Sequence, residues 1–200
     1  MIYYAMEQTT LISTFYSFDP FVAAAHAVSP NVIVLIVDAE KEKEVNENIK
    51  KVRDFYGSVT SVNVETVKGS DLLAITQKTV DLIEKAKGRV VVYVGGGKKL
   101  TAQGVLYGCY ARAERVEKIL CNNVNDQTIV ELPKLTYGLT KPKRILLEKI
   151  AARDGKSIKD IADSLGKTRG MLYQHLKELK ENGYVDEKFE ITLAGRMALL

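Results

Sequence analysis

The sequence predicts a protein of the α/β class in which a mainly parallel sheet is followed by a small helical domain. Two runs of aliphatic residues, 32–37 and 90–94, are typical of strands buried on both faces. Strand-like and helix-like segments alternate over the first 135 residues, which favours parallel strands covered by helices. The last 61 residues hold 13 Lys and Arg against 9 Asp and Glu, whereas residues 1–139 hold 16 of each.

The composition excludes several classes of protein. Of the 200 residues, 46% are hydrophobic and 27% are charged, which is typical of a globular chain and not of a disordered or collagen-like one. Neither aliphatic run approaches the roughly 20 residues of a membrane span, and the first residues lack the pattern of a signal peptide. Cys109 and Cys121 form no CxxC motif, so we expect no disulfide framework, no metal site and a cytoplasmic location.

The elements of the first domain follow from local patterns, taken in order along the chain. TTLISTFY is rich in strand-forming residues, FVAAAHAV is a short helix, and VIVLIV is a buried strand. Next come an amphipathic helix, a strand with alternating apolar residues and a second amphipathic helix. A second aliphatic strand, a further helix and two strands paired across the turn 122–126 follow. The predicted strands cover residues 9–16, 32–37, 58–66, 89–94, 116–121 and 128–132, and the predicted helices cover 21–28, 41–56, 70–87 and 100–113.

A Rossmann-like arrangement of these strands predicts where a ligand binds. Such sheets bind ligands beyond the carboxyl ends of the strands, at the point where the strand order reverses. If the order is 3-2-1-4-5, the loops after Tyr16 and after Val94 converge on one crevice. In the first of these loops, Asp19 is predicted to cap the next helix and Pro20 to occupy its first position.

The second loop has the composition of an anion-binding turn. Gly95, Gly96 and Gly97 let backbone N–H groups approach a ligand closely, and a helix begins directly after Lys98 and Lys99. The loop is neither a G-x-G-x-x-G motif after the first strand nor a P-loop, so a nicotinamide-dependent dehydrogenase and a P-loop NTPase are disfavoured. A phosphate-bearing ligand is the favoured occupant. The alternative is a tight strand–helix turn with two solvated lysines.

The chain after residue 135 reads as a linker and a second domain. Residues 136–142 form the predicted linker, and residues 143–200 form the predicted DNA-binding domain. Helices are predicted over 143–153, from Ser157 to about Leu165, and over 169–181, followed by a short hairpin over 184–191. In the first of these helices, Ile145, Leu146 and Ile150 are expected to face inward.

The segment IADSLGKTRGMLYQHLKELKENGYV resembles the core of bacterial and archaeal winged helix-turn-helix regulators. Its third helix would enter the major groove of DNA, while Leu172, Leu176 and Leu179 form its buried face. Arginine can read guanine, glutamine can read adenine, and tyrosine and lysine can reach phosphates or bases. The alternative is a winged helix that docks onto protein. The candidate DNA-binding residues are Thr168, Arg169, Gly170, Tyr173, Gln174 and Lys177.

The two halves together resemble CARF domains, the Rossmann-like sensor domains associated with CRISPR systems. The resemblance is carried by the layout, by the Ser17-Phe18-Asp19 loop and by GGGKK followed by a helix. The added winged helix resembles the archaeal CRISPR-associated transcriptional regulators of this class. The resemblance implies a homodimer that binds a cyclic oligoadenylate on its two-fold axis, with cyclic tetra-adenylate as the favoured form. The implied ligand-binding residues are Ser17, Phe18, Asp19, Gly95, Gly96, Gly97, Lys98, Lys99 and Thr101.

The resemblance therefore predicts a ligand-responsive regulator with double-stranded DNA as its partner, no cofactor and no catalytic residue. Ligand binding across the dimer would change the spacing of the two winged helices, and hence the affinity for DNA half-sites. Two alternatives stay open. Some CARF domains slowly cleave the ring that they bind, which Ser17, Lys98 or Lys99 could assist. The chain could also be a nucleotide-sensing scaffold whose winged helix docks onto protein.

Overall fold

The computed structural model describes residues 8–40, 42–123, 125–126, 128–152, 160–161 and 169–200. The chain divides into two compact units, Met1–Thr136 and Tyr137–Leu200. No helix in these described ranges is both long enough and apolar enough to span a bilayer.

The first unit is a six-stranded sheet with the order β3-β2-β1-β4-β5-β6, which confirms the order assumed from the sequence. All neighbouring strands are parallel except β5 and β6, which form the antiparallel pair expected across the turn 122–126. The strands are β1 Thr9–Thr14, β2 Val32–Asp38, β3 Ser61–Val67, β4 Arg89–Tyr93, β5 Lys118–Asn122 and β6 Ile129–Leu132. The helices are α1 Phe18–Val28, α2 Lys43–Tyr56, α3 Leu72–Lys85 and α4 Lys99–Ala111.

Each face of the sheet carries its own apolar cluster, because successive side chains of a strand point to opposite faces. Leu11 of β1 packs in a cluster with residues of α1 and α2. The next residue, Ile12, packs in a second cluster with residues of α3 and α4. Burial on both faces explains why the central strands read as continuous aliphatic runs.

The first helix begins earlier than predicted. α1 starts at Phe18, and its N-cap is Ser17, whose backbone is extended and whose side chain makes no capping hydrogen bond. The prediction that Asp19 caps the helix is wrong, since Asp19 lies within the first turn. Pro20 is the third helical residue instead of the first. It is tolerated there because the first-turn N–H groups have no intrahelical acceptor.

The second unit contains α5 Lys141–Ala151, α6 Arg169–Glu181 and α7 Leu193–Leu199. Its core includes Leu172, Leu176 and Leu179, as predicted. The inward orientation predicted for Ile145 is wrong, because this side chain is exposed whereas Leu146 and its neighbour Leu147 are buried. The second predicted helix falls mostly outside the described residues, of which only 160–161 belong to it, and both are helical.

The predicted hairpin over 184–191 is reduced to one antiparallel bridge between Val185 and Ile191. The turn between them is tight, since Asp186 Oδ1 accepts the backbone N–H groups of Lys188 and Glu190, each at 2.8 Å. One carboxylate therefore organises the tip, and α7 follows with Thr192 as its side-chain cap.

Candidate functional site

The loops after β1 and β4 lie side by side because these two strands are neighbours in the sheet. The backbone N–H of Gly96 donates to Thr14 Oγ1 at 3.1 Å. A Cβ at position 96 would lie 2.7 Å from the Thr14 carbonyl oxygen and 3.2 Å from the Tyr16 nitrogen. Glycine is therefore required at position 96, where backbone packs directly on backbone.

The flanking glycines have separate structural reasons. Gly97 has a φ of +80°, in the region that favours glycine. A Cβ on Gly95 would lie 2.1 Å from the Tyr93 hydroxyl and 2.4 Å from Asn122 Oδ1. Burial raises the pKa of Tyr93 to about 12, so this phenol stays neutral beneath the loop.

A cavity of about 210 Å³ opens beside the glycine loop, at the carboxyl ends of β1 and β2. It lies where the strand order reverses, which is where doubly wound sheets bind ligands. Three of its lining residues, Gly97, Lys98 and Thr101, come from the candidate set. The other lining residues are Phe15, Tyr16, Ile36, Asp38, Glu40, Glu42 and Val45.

The cavity contains both signs of charge. Lys98 Nζ lies 3.2 Å from Asp38 Oδ2, and Glu40 and Glu42 add two further carboxylates to the lining. Glu42 accepts a hydrogen bond from the Tyr16 hydroxyl at 3.1 Å, and this bond raises the pKa of Tyr16. The lysine is thus already paired with a carboxylate, so this side of the sheet is not the purely cationic cradle that the lysine pair suggests.

Thr101 is the most buried polar residue of the cavity lining. It lies in the first turn of α4, lines the cavity and is only 2% exposed. Its hydroxyl forms no hydrogen bond with any residue that the structure describes. A buried hydroxyl without a partner carries a free-energy cost that a polar ligand group can remove.

The other candidate ligand residues lie outside the cavity lining. Ser17 is the N-cap of α1, and Asp19 is exposed in its first turn. The Phe18 ring packs edge-to-face on Phe55 of α2, with 6.1 Å between ring centroids. Lys99 is exposed at the first position of α4. Packing against α2 thus accounts for Phe18 without a ligand.

The acidic side of the cavity was not predicted from the sequence. Asp38 ends β2, and Glu40 and Glu42 follow in the next loop. β2 neighbours β1 in the order 3-2-1-4-5, so its carboxyl end reaches the same edge of the sheet. A polar residue directly after VIVLIV was the signal available. Within the described ranges, no three His, Cys, Asp or Glu residues form a group that could hold a metal ion.

In the second unit, four of the six candidate DNA-binding residues lie on the exposed side of α6. Gly170, Tyr173, Gln174 and Lys177 are exposed, whereas Leu172, Leu176 and Leu179 are buried. Lys177 Nζ is 3.8 Å from Glu181 Oε1, an exposed i,i+4 pair that competes only weakly with a phosphate. Arg169 is the first residue of α6, and Thr168 lies outside the described residues.

Comparison with protein families identifies this second region. Residues 141–187 match the model of a helix-turn-helix family described as bacterial regulatory protein, arsR family. The matched segment runs from the start of α5 into the turn after α6 and contains all six predicted recognition residues. The second unit therefore holds a helix-turn-helix region of a regulatory type. No curated protein matches the sequence of the chain.

Among solved structures, Can2 from Sulfobacillus thermosulfidooxidans in complex with cyclic tetra-adenylate is 14% identical, with a TM-score of 0.48 over 95% of this chain and 62% of that chain. A type III CRISPR defence DNA nuclease activated by cyclic oligoadenylate is 12% identical, with a TM-score of 0.47 over 96% and 33%. Protein VC1899 from Vibrio cholerae is also 12% identical, with a TM-score of 0.49 over 96% and 64%. The chain spans less than two thirds of each of these proteins.

Proposed function

We propose that the chain is a DNA-binding transcriptional regulator of a CRISPR system whose DNA affinity responds to a cyclic oligoadenylate. The DNA-binding part rests on one observation: α6 exposes Tyr173, Gln174 and Lys177 within a segment that matches a helix-turn-helix family of regulators. Such a helix places its amino-terminal residues against base edges in the major groove.

Within this proposal, the residues of α6 have distinct roles. Arg169 reads a guanine, Gln174 reads an adenine, and Tyr173 and Lys177 contact phosphates or bases. Gly170, where a Cβ would meet nothing within 4 Å, leaves room for the DNA backbone to approach. Thr168 precedes α6 and is proposed to bind a phosphate at the amino end of the helix.

The ligand part of the proposal rests on the resemblance to CARF domains and on the cavity at the strand reversal. We assign cyclic tetra-adenylate as the ligand and a homodimer as the binding unit, with the site on the two-fold axis. Gly95, Gly96 and Gly97 would present backbone N–H groups to phosphates, and Lys98 and Lys99 would add charge. Ser17, Phe18, Asp19 and Thr101 complete the proposed ligand set.

Binding to promoter fragments tests the DNA-binding part. The protein is titrated with promoter fragments from the locus that encodes it and with random DNA. Each titration is made at two salt concentrations, with and without cyclic tetra-adenylate. A regulator binds some fragments selectively, with a steep salt dependence and an affinity that the ligand changes. Arg169→Ala is expected to relax selectivity by about 1–3 kcal/mol at one base position. The regulator is ruled out if no fragment is preferred over random DNA.

Incubation with labelled cyclic tetra-adenylate tests the ligand part. We expect saturable binding by the wild type and weaker binding by Lys98→Ala. Release of a linear product by the wild type but not by Lys98→Ala would favour the ring-cleaving alternative over a pure sensor. The proposed ligand is wrong if the wild type neither binds nor cleaves the ring.

A further inference from the structure

Asp38 is a largely buried carboxylate at the carboxyl end of β2, and one of its oxygens accepts no hydrogen bond from the residues that the structure describes. Its side chain is 10% exposed, and Oδ1 accepts the backbone N–H of Glu40 at 2.8 Å. Oδ2 is buried and accepts no hydrogen bond from the described residues, although Lys98 Nζ lies 3.2 Å away. A Cβ on Gly69 would lie 1.7 Å from Oδ2, so the loop after β3 packs directly against the carboxylate.

Lys98 can move more freely than its partner. Its side chain is 55% exposed, whereas Asp38 is held by the Glu40 N–H and packed against Gly69. A ligand phosphate can therefore draw the ammonium group away from Asp38. That exchange leaves a buried carboxylate without its counter-charge, which is strongly unfavourable. A ligand that brings a hydrogen-bond donor next to its anion compensates for this loss.

A ribose hydroxyl next to a phosphate is such a donor. In dinucleotide-binding Rossmann folds, an acidic residue about 20 residues beyond the glycine turn that follows the first strand binds a ribose hydroxyl of the nucleotide. This chain has no glycine turn after β1, but Asp38 lies a comparable distance beyond the β1 loop. Asp38 ends β2, which is hydrogen-bonded to β1, and it lines the same cavity as Lys98. The hydroxyl of Thr101, buried in that cavity without a hydrogen bond to any described residue, offers a second polar group to the same ligand.

We propose that the cavity binds a ribose-phosphate unit in which Lys98 leaves Asp38 for the phosphate and Asp38 Oδ2 accepts a hydrogen bond from the neighbouring ribose hydroxyl. This inference rests on the proposed function, because both require a ligand that carries phosphate. It adds a specificity for the sugar. Lys98 supplies affinity for the anion, and Asp38 distinguishes ribose from deoxyribose. A 2′-hydroxyl beside a 3′-phosphate meets both requirements.

The test compares two ligands that differ only at the sugar. The affinity of the full chain is measured by calorimetry for cyclic tetra-adenylate and for its cyclic 2′-deoxy counterpart. The wild type is expected to prefer the ribose ring by about tenfold or more, the range of a charge-assisted hydrogen bond. Asp38→Ala is expected to bring the ratio close to one. Asp38→Asn is expected to give an intermediate ratio, since an amide oxygen still accepts a hydrogen bond without the charge.

The ratio is the decisive measurement because removing Asp38 has two effects. Freeing Lys98 tightens the binding of both rings, and this effect cancels in the ratio. Asp54→Asn is the matched control, since Asp54 is an exposed acid on α2 outside the cavity lining and its loss should leave the ratio unchanged. If Asp38→Ala does not fold, Asp38→Asn carries the test.

The outcomes separate this inference from the proposed function. Equal binding of both rings by the wild type overturns the ribose subsite and leaves the proposed ligand intact, as does a preference that Asp38→Ala retains. If neither ring binds, the proposed ligand is wrong, and the subsite is judged with adenosine 3′-monophosphate and its 2′-deoxy form by NMR titration. A ribose preference there that Asp38→Ala abolishes supports the subsite. Equal binding or none overturns it.

Discussion

The two units of the chain build their candidate sites in different ways. In the sheet unit, the site depends on backbone packed against backbone, as where Gly96 meets the Thr14 carbonyl group. In the helix-turn-helix unit, Tyr173, Gln174 and Lys177 are side chains on the exposed side of α6. The opposite side of the helix packs in the core through Leu172, Leu176 and Leu179.

This difference indicates where each unit tolerates amino-acid substitution. A site made by close backbone approach is lost when a single methyl group is added, because neighbouring backbone cannot move without disturbing the sheet. A site made by exposed side chains can change its specificity while its helix keeps its packing. Substitutions in the glycine loop should therefore lower stability and ligand binding together, whereas substitutions of the exposed side chains of α6 should change DNA binding without changing stability.

The largest expected effect breaks the helix-turn-helix unit through its core. Leu176 is 1% exposed, so Leu176→Ala removes apolar contacts and leaves a cavity. We expect a loss of about 2–5 kcal/mol in the free energy of unfolding of this unit, with loss of DNA binding. Urea denaturation followed by circular dichroism measures it. Met171→Ala, at a half-exposed position on the same helix, should change stability by less than about 0.5 kcal/mol.

The contrast between the two units would be wrong if Leu176→Ala weakened the binding of cyclic tetra-adenylate as much as it weakens the binding of DNA. We expect that affinity, measured without DNA at a temperature where the sheet unit is folded, to stay within about twofold of the wild type, because Leu176 packs in the core of the other unit.

The next effect tests the backbone contact in the sheet unit. Gly96→Ala places a methyl group 2.7 Å from the Thr14 carbonyl oxygen, so the loop must shift. We expect a loss of about 1–3 kcal/mol in stability and a loss of ligand binding, measured by urea denaturation and calorimetry. The matched control is Gly170→Ala in α6, where a Cβ meets nothing within 4 Å. This control should retain or slightly increase stability. Equal losses of stability at both glycines would show that the close backbone contact at Gly96 is not the cause of the effect.

A smaller effect should change DNA binding without changing stability. Lys177→Ala is expected to lower the slope of log affinity against log salt by about one, because one phosphate contact is lost. Filter binding or fluorescence anisotropy at several salt concentrations measures the slope. Lys149→Ala removes an exposed lysine of α5 as the charge control and should leave the slope unchanged. Identical slopes for the two variants would remove Lys177 from the interface.

The smallest effect should change stability without changing binding. The Arg89 guanidinium donates to both carboxylate oxygens of Glu117, and these hydrogen bonds lower the pKa of Glu117. A lowered pKa in the folded state stabilises the fold above the unfolded-state pKa, and this contribution is lost as the pH falls through the folded-state pKa. Since the pair is partly exposed, we expect Glu117→Gln to cost less than about 1 kcal/mol.

The pH dependence of that difference is the measurement. The urea midpoints of the wild type and Glu117→Gln should differ at neutral pH and approach each other as the pH falls below the lowered pKa of Glu117 in the folded state. A difference that grows on acidification would show that the assigned sign is wrong.

Local patterns predicted the elements of the fold but not their exact ends. The strands and helices lie close to the predicted ranges because periodicity reports which residues are buried. Ser17, and not Asp19, precedes the first helical residue, and Ile145 points away from the core. Both errors arise because the start and rotation of a helix depend on the elements that pack against it. The wing was overestimated because the Asp186 carboxylate closes a tight turn that alternation does not reveal.

The order of elements, the two-part organisation and the loops that meet at the strand reversal could be predicted from the chain alone, because these depend on hydrophobic periodicity and turn composition. The Asp38–Lys98 pair and the burial of Thr101 without a hydrogen bond to any described residue became visible only in the folded structure. These facts depend on strand register and on close contact between residues far apart in the chain. The amino-acid sequence states which side chains are present, but the distance between two side chains is fixed only when the chain folds.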